Sequence, residues 1–285
     1  MRQKAQRFDP RQNMNGNTFE VFHYLDLKTR HMEAHYHDFY EVFCFIDGDV
    51  DYWVDGSVYH LKSGDILLIN PTELHKPIAR TDSGNYERIV LWINKNYLSE
   101  IESGIFEACF DAKLQSHKKI LRLSSSQKSE MFSLLGNFIK EYYTEDFANK
   151  SCAYGLLLQV LAMLNRISLS STSSSDKYRT STLIADVLSY INENYSEDLS
   201  LDKISKHFFI SKYYLSHEFS KAVGTSIYRY IMLKRLNVAR DMLSDGISAG
   251  QVSNLCGFKD YTVFFRAFKA EYGVNPRACQ GEKEI

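Results

Sequence analysis

A helical unit occurs twice between residues 199 and 280, with forty-nine residues from Ser211, which opens the first copy, to Asp260, which opens the second. Both are N-cap residue types, whose side-chain oxygen accepts from a free amide of the first turn. Leu215, Phe219 and Val223 in one copy correspond to Phe264, Phe268 and Tyr272 in the other. This i, i+4, i+8 spacing puts an apolar stripe on one helix face. Gly224 and Gly273 then stand where a left-handed residue ends a helix. A chain that repeats cap, stripe and terminator together has to fold into two equivalent helices, each with one packed side and one free side.

The free sides carry Tyr213, His217 and Ser220 in the first copy and Thr262, Arg266 and Lys269 in the second. A shorter helical segment precedes each copy, Leu201 to His207 and Ser248 to Leu255. The joining turns are Phe208-Phe209-Ile210 and Gly257-Phe258. Short helix, tight turn and capped helix make a helix-turn-helix, which lays its second helix in the DNA major groove. Between the copies, Ser226 to Leu243 has a helical apolar period. At about 1.5 Å per residue it predicts a rigid spacer of roughly 27 Å, suited to successive major grooves about 34 Å apart. Charge agrees with a DNA partner: residues 199–280 hold twelve Lys and Arg against six Asp and Glu, in a chain of net charge −1.

The repeat, its spacer and the closing run from Gly257-Phe258-Lys259-Asp260-Tyr261 to Tyr272-Gly273-Val274-Asn275-Pro276-Arg277 resemble the double helix-turn-helix domain of the AraC/XylS family of transcriptional regulators. The resemblance implies base contacts from Tyr213, Ser216 and His217 in the first reading helix and from Thr262 and Arg266 in the second. Lys212 and Lys269 complete the DNA-binding candidates. Phe265 departs from the small polar residue often found at its place, and reads either as a thymine-methyl contact or as a packed edge.

The rest of the chain reads as a separate sensor half. A length of 285 residues allows about two domains, and four prolines with 44% hydrophobic residues argue against long disordered stretches. No charged segment followed by an apolar run opens the chain, so no secretion signal is expected. The longest apolar stretch, Tyr154 to Leu164, reads as too short to span a membrane. The five cysteines show neither a CxxC pair nor regular spacing, which excludes a disulfide framework or zinc cluster as the organising principle and fits the cytoplasm.

From Thr18 to about Leu98 the grammar is that of short strands, punctuated by Asp47-Gly48, Asp55-Gly56 and Ser63-Gly64 as turn dipeptides. Within it, His35, His37 and Glu41 share the face of one extended segment. His75, past Asn70-Pro71, closes the group from another strand. This His-x-His-x3-Glu-x6-Gly spacing, followed by Gly64, Pro71 and His75, resembles the two motifs of the cupin barrel and the cupin-type sensor domain of many AraC-family regulators. The second motif lacks the usual Gly after Pro. Three readings stay open for His35, His37, Glu41 and His75: hydrogen bonds to a small molecule in a mostly apolar pocket, a divalent transition metal, or a structural role. Trp92, on a late strand, is a further pocket candidate or a buried filler.

Residues 127–143 and 152–167 each carry a helical stripe and predict an antiparallel hairpin, which packs on the barrel or pairs two subunits. The expected fold is two-domain α+β: a cupin-like β-barrel with a helical hairpin over 1–167, a serine-rich flexible linker over 168–180 and an all-α DNA-binding domain over 181–285. The expected function is a non-enzymatic transcriptional regulator that binds double-stranded operator DNA. The resemblance implies a carbohydrate effector, a homodimer and RNA polymerase as a further partner, with no membrane and no required cofactor. The rival is a cupin metalloenzyme fused to a DNA-binding domain. A third reading makes the barrel only an oligomerisation scaffold.

Overall fold

The computed structural model describes residues 13–27, 32, 34–71, 73–81, 84–111, 118–170 and 182–279. The chain divides into two compact units between Tyr178 and Arg179.

The first unit contains strands β1 (Phe19–Asp26), β2 (Phe39–Asp47), β3 (Val50–Val54), β4 (Ser57–His60), β5 (Asp65–Ile69), β6 (His75–Ala79), β7 (Tyr86–Asn94) and β8 (Ile120–Arg122). They form a five-stranded sheet in the order β1-β7-β2-β5-β8 and a three-stranded sheet in the order β4-β3-β6. All pairings are antiparallel. The larger sheet is mostly apolar on both faces because both are covered. Phe22, Phe43, Phe45, Leu67 and Val90 face Val50, Tyr52 and Tyr59 of the smaller sheet, while Val42, Cys44, Ile66, Leu68 and Leu91 face the helices. The expected barrel is therefore an open pair of facing, cupin-like sheets, with no ladder joining their edges among the described residues.

Turn chemistry sets the small sheet. Asp55 and Gly56 both take positive φ, 41° and 88°, which a two-residue hairpin with the natural strand twist requires. They put Val54 opposite Ser57. Two strands escaped the sequence pattern. β6 runs His-Lys-Pro-Ile-Ala and is recognisable only by its pairing with β3, and β8 is three residues long.

β7 leads into α1 (Lys95–Glu100) and 3-10 turns over Ile101–Phe110, interrupted by left-handed Glu102, Ser103 and Gly104. The hairpin helices are α2 (Ser125–Tyr143) and α3 (Asn149–Ser170). Ser124 and Gln127 form a reciprocal capping box that starts α2. Met131, Leu135 and Phe138 of α2 and Leu157, Val160 and Leu164 of α3 pack on the outer face of the large sheet. The hairpin thus covers this unit's own core. Asn165 fastens α3 to the 3-10 segment: its Oδ1 accepts from the Cys109 amide at 2.8 Å and its Nδ2 donates to the Phe106 carbonyl at 3.0 Å.

Two expectations change here. α3 runs 22 residues and is long and apolar enough by composition to cross a membrane, although its apolar side lies in the core. It also continues through Ser170, with Ser168 buried, so residues 168–170 are helix rather than linker. The remaining linker residues, 171–180, lie outside the described residues.

The second unit is helical throughout its described residues: α4 (Thr182–Glu193), α5 (Leu201–His207), α6 (Lys212–Val223), α7 (Ile227–Ser244), α8 (Ala249–Leu255), α9 (Tyr261–Tyr272) and a 3-10 turn at Pro276–Cys279. The Ser211 side chain accepts from the Tyr214 amide, and Asp260 accepts from the amides of Thr262 and Val263. Gly224 and Gly273 end α6 and α9 in the left-handed region, with φ of 85° and 73°. Leu215, Phe219 and Val223 are buried, as are Phe264 and Phe268. α7 serves both copies of the repeat. Its Tyr230 ring meets Phe219 edge-on at 5.7 Å, and its Leu236, Ala239 and Leu243 join Phe264 and Phe268 in a second core.

Candidate functional site

In the first unit, strand register assembles a polar cluster inside the apolar layer. Glu41 of β2 pairs with Trp92 of β7, and cross-strand partners share a face. The indole Nε1 donates to Glu41 Oε2 at 2.8 Å. His75, at the head of β6, enters from the facing sheet. The segment before β2 exchanges two backbone hydrogen bonds with it, His35 N to His75 O at 3.1 Å and His75 N to His35 O at 2.9 Å. That bridge sets the rings of His35 and His75 4.4 Å apart and those of His37 and His75 4.8 Å apart. His37 stacks flat on Phe39 at 3.9 Å. One ligand atom each from His37, Glu41 and His75 falls within 4.8 Å of the others, and all three residues are buried. His35 is half-buried and stands beside this trio, outside its converging ligand atoms.

The tautomers follow from the backbone. His37 Nδ1 lies 2.9 Å from the Phe39 carbonyl and His75 Nδ1 lies 2.9 Å from the Glu73 carbonyl. A carbonyl only accepts, so both Nδ1 atoms carry protons, and each ring turns its Nε2 inward. Both Nε2 atoms are buried without a hydrogen-bond partner among the described residues. His37 Nε2 lies 3.3 Å from Glu41 Oε2. The cluster therefore brings a carboxylate and two imidazole edges together in a buried interior, where a polar ligand or a cation completes it.

Burial alone would raise the Glu41 carboxyl; the His37 contact and the fields of His37, His75 and His35 outweigh it and hold the pKa at about 2. Burial pushes the His75 imidazole well below its ordinary value of 6.5, reinforced by His35 and His37 and opposed by Glu41. Both shifts act in one direction. Unfolded His75 takes up a proton as pH falls through 6.5 while the folded ring stays neutral, and unfolded Glu41 takes one up below 4.5 while the folded carboxylate stays charged. The stability these two groups contribute is thus full above about pH 6.5 and is lost progressively below it. Chemical denaturation between about pH 7.5 and 5 is expected to show a falling unfolding free energy, and His75→Phe is expected to flatten that slope.

Further side chains share this interior and were not singled out from the sequence. The Tyr52 hydroxyl lies within hydrogen-bonding influence of Glu41, and burial raises its pKa well above 10. Arg88, on the same face of β7 as Trp92, donates to Asp26 at 2.6 Å and sits over the rings of Tyr24 and Tyr86. Counting back by twos from Trp92 reaches Arg88; without knowing which face of β7 was internal, that signal carried no weight.

In the second unit, Lys212, Tyr213 and His217 are exposed along α6 and Ser216 is half-buried. Thr262, Arg266 and Lys269 are exposed along α9. All seven lie off the buried stripes. Phe265 is half-buried with its ring 6.2 Å from Tyr261. Exposed apolar side chains also occur here: Phe209, in the turn before α6 at a left-handed φ of 55°, Tyr214, and Val263.

Residues 20–161 match a family model described as the AraC-like ligand binding domain, and residues 204–281 match one described as a helix-turn-helix domain. The chain belongs to the AraC family of transcriptional regulators. This AraC-family regulator is 24% identical over 247 residues to the HTH-type transcriptional activator RhaS of Escherichia fergusonii, across 85% of each chain. It is 23% identical over 273 residues to the HTH-type transcriptional regulator YfiF of Bacillus subtilis, across 89% of this chain and 81% of that one. Among solved structures, ToxT from Vibrio cholerae is similar at 14% identity, covering 92% of this chain and 97% of that one, with a TM-score of 0.37.

For an AraC-type reading helix, the exposed face of α9 has a direct test. Arg266→Ala is expected to weaken binding to a selected operator by about 1–3 kcal/mol and to flatten discrimination at one base pair. Fluorescence anisotropy against operators with each base pair varied in turn measures both. A uniform loss on all sequences would make Arg266 a phosphate contact.

Proposed function

We propose that this AraC-family regulator senses a polyhydroxylated small molecule, a sugar or glycoside, at the cluster of His37, Glu41 and His75, and that occupancy changes how the double helix-turn-helix engages its operator. One observation carries the reading: a buried carboxylate and two inward-facing imidazole Nε2 atoms converge beside the aromatic side chains of Phe39 and Trp92. Adjacent hydroxyls, which both donate and accept, suit such a mixed set, and the apolar face of a sugar ring packs on aromatic side chains. His35 and Tyr52 flank the same place. Tyr213, Ser216, His217, Thr262 and Arg266 read bases, with Lys212 and Lys269 toward the phosphates. The ligand acts only insofar as it binds one arrangement of the chain better than another. The helical hairpin, whose turn exposes Phe147 and whose second helix exposes Tyr154, is the surface on which two copies pair, and the cytoplasm is the compartment of action.

The experiment is thermal unfolding of the full chain against sugars, sugar phosphates, organic acids and divalent metals. A ligand at about 100 times its Kd adds roughly 2.7 kcal/mol, and Glu41→Gln is expected to abolish that gain. No stabilisation by any sugar class would overturn the carbohydrate reading.

A second reading rests on the same orphaned nitrogens. Two imidazoles with backbone-fixed tautomers and one carboxylate suit a divalent transition metal, held by His37, Glu41 and His75. Such an ion would supply a Lewis acid to an oxygen-bearing ligand. Elemental analysis of protein purified without chelators decides: a near-stoichiometric metal supports this reading, and none removes it.

A further inference from the structure

The two helix-turn-helix units are joined by α7, but the structure shows a second connection between them that does not run along the chain. The segment from α4 to α5, residues 194–200, introduces the first unit, and the turn 256–259 introduces α9 of the second. These two segments meet. Gly257 has a φ of +75°, and a Cβ built there would collide with the Ser196 carbonyl. Only glycine allows backbone to approach backbone this closely while keeping the left-handed turn. Asp198 pairs with Lys203 at 2.8 Å and with Lys259 at 3.0 Å, one lysine from each unit.

Arg235 of α7 holds this junction. Its Nε donates to the Tyr195 carbonyl at 2.7 Å and its Nη2 to the Glu197 carbonyl at 2.6 Å. The same guanidinium lies 5.9 Å from the centroid of the Phe258 ring, in the turn of the second unit. One planar side chain therefore donates to the entry of the first helix-turn-helix and lies over a ring in the turn of the second. A lysine ammonium reproduces the charge, but not two in-plane donors together with a stacking face.

We propose that Arg235, with Gly257, is a positioning device that sets the separation and tilt of α6 and α9, and so determines which spacing between two half-elements of an operator the regulator accepts. The physical reason is effective concentration. Once one reading helix is seated, the second meets its groove as an intramolecular partner, and a rigid link of the right length maximises that advantage. Loosening the junction leaves each helix intact but lowers the advantage of having both. This inference rests on the DNA-binding reading and adds to it a determinant outside the reading helices.

The test uses the full chain. A duplex library selected with the wild-type protein supplies an operator; failure to enrich any sequence would overturn the parent reading before a variant is made. Binding is then measured on the selected operator, on versions with one element scrambled, and on versions with one or two base pairs inserted between the elements. Arg235→Ala is expected to lose about tenfold or more on the intact operator, to stay within about twofold of wild type on one-element duplexes, and to suffer less than wild type from the insertions. Arg235→Lys is expected to fall between. Gly257→Ala, which acts through the other side of the junction, is expected to give the same pattern, and Asp198→Asn a weaker one. Thermal unfolding accompanies each variant. Equal losses on one-element and intact operators would overturn the proposal, as would an unchanged spacing preference in variants that remain folded.

Discussion

Phe264→Ala is expected to unfold the second helix-turn-helix unit at temperatures the wild type tolerates, at a cost of about 3–5 kcal/mol. Phe264 is fully buried. Its ring lies 5.1 Å from Phe258, 5.6 Å from Phe268 and 5.9 Å from Tyr261, and Leu236, Leu243 and Val252 close the same cluster. Truncation removes the apolar area and leaves a cavity that three helices cannot easily collapse, because α7 is also committed to the first helix-turn-helix. Denaturant unfolding followed by tyrosine fluorescence measures the loss, and operator binding should fall in parallel. Two residues further along α9, Arg266 is exposed, and its replacement should leave stability unchanged while DNA affinity drops. If Phe264→Ala left stability within about 1 kcal/mol of wild type, the buried-stripe account of the repeat would be wrong.

Asp26→Ala should destabilise the first unit by about 3–5 kcal/mol, because it removes a charged partner from a buried guanidinium. The side chains of Arg88 and Asp26 are 4% and 11% exposed and meet at 2.6 Å. Arg88 also donates to the Tyr86 carbonyl at 3.1 Å and lies over the Tyr24 and Tyr86 rings. Removing both charges at once is a different experiment: Asp26→Leu with Arg88→Met is expected to recover much of the loss, since an apolar pair of similar volume avoids the desolvation cost. A double-mutant cycle by urea denaturation separates the two cases. A small effect of Asp26→Ala alone would mean that the guanidinium is relieved by solvent.

These two sites also show how unevenly the chain discloses itself. The reading helices were legible because their signals are local. Cap, stripe and left-handed glycine lie within fourteen residues, from Ser211 to Gly224 and again from Asp260 to Gly273, and an α-helix satisfies its backbone from its own neighbours. The spacer helix was legible for the same reason. His37, Glu41 and His75 could be named because cupin-like spacing marks them, although spacing alone left His35 on equal terms with the other three.

What the tertiary structure alone decided depends on which strands lie side by side. β6 has no strand pattern of its own and is recognisable only through β3, yet it delivers His75 to Glu41. Arg88 became an interior residue only when the register of β1, β2 and β7 defined the inner face. The helical hairpin settled on the large sheet's outer face because apolar residues on both faces of that sheet needed cover. The contact of Gly257 with Ser196, across sixty-one residues of sequence, has no local signature at all. By itself the sequence determined which helices form and which faces they leave free, since those are matters of nearest neighbours along the chain. Tertiary structure decided which polar groups meet inside the sensor unit and how the two reading units are tied together, because those contacts exist only once distant segments have packed.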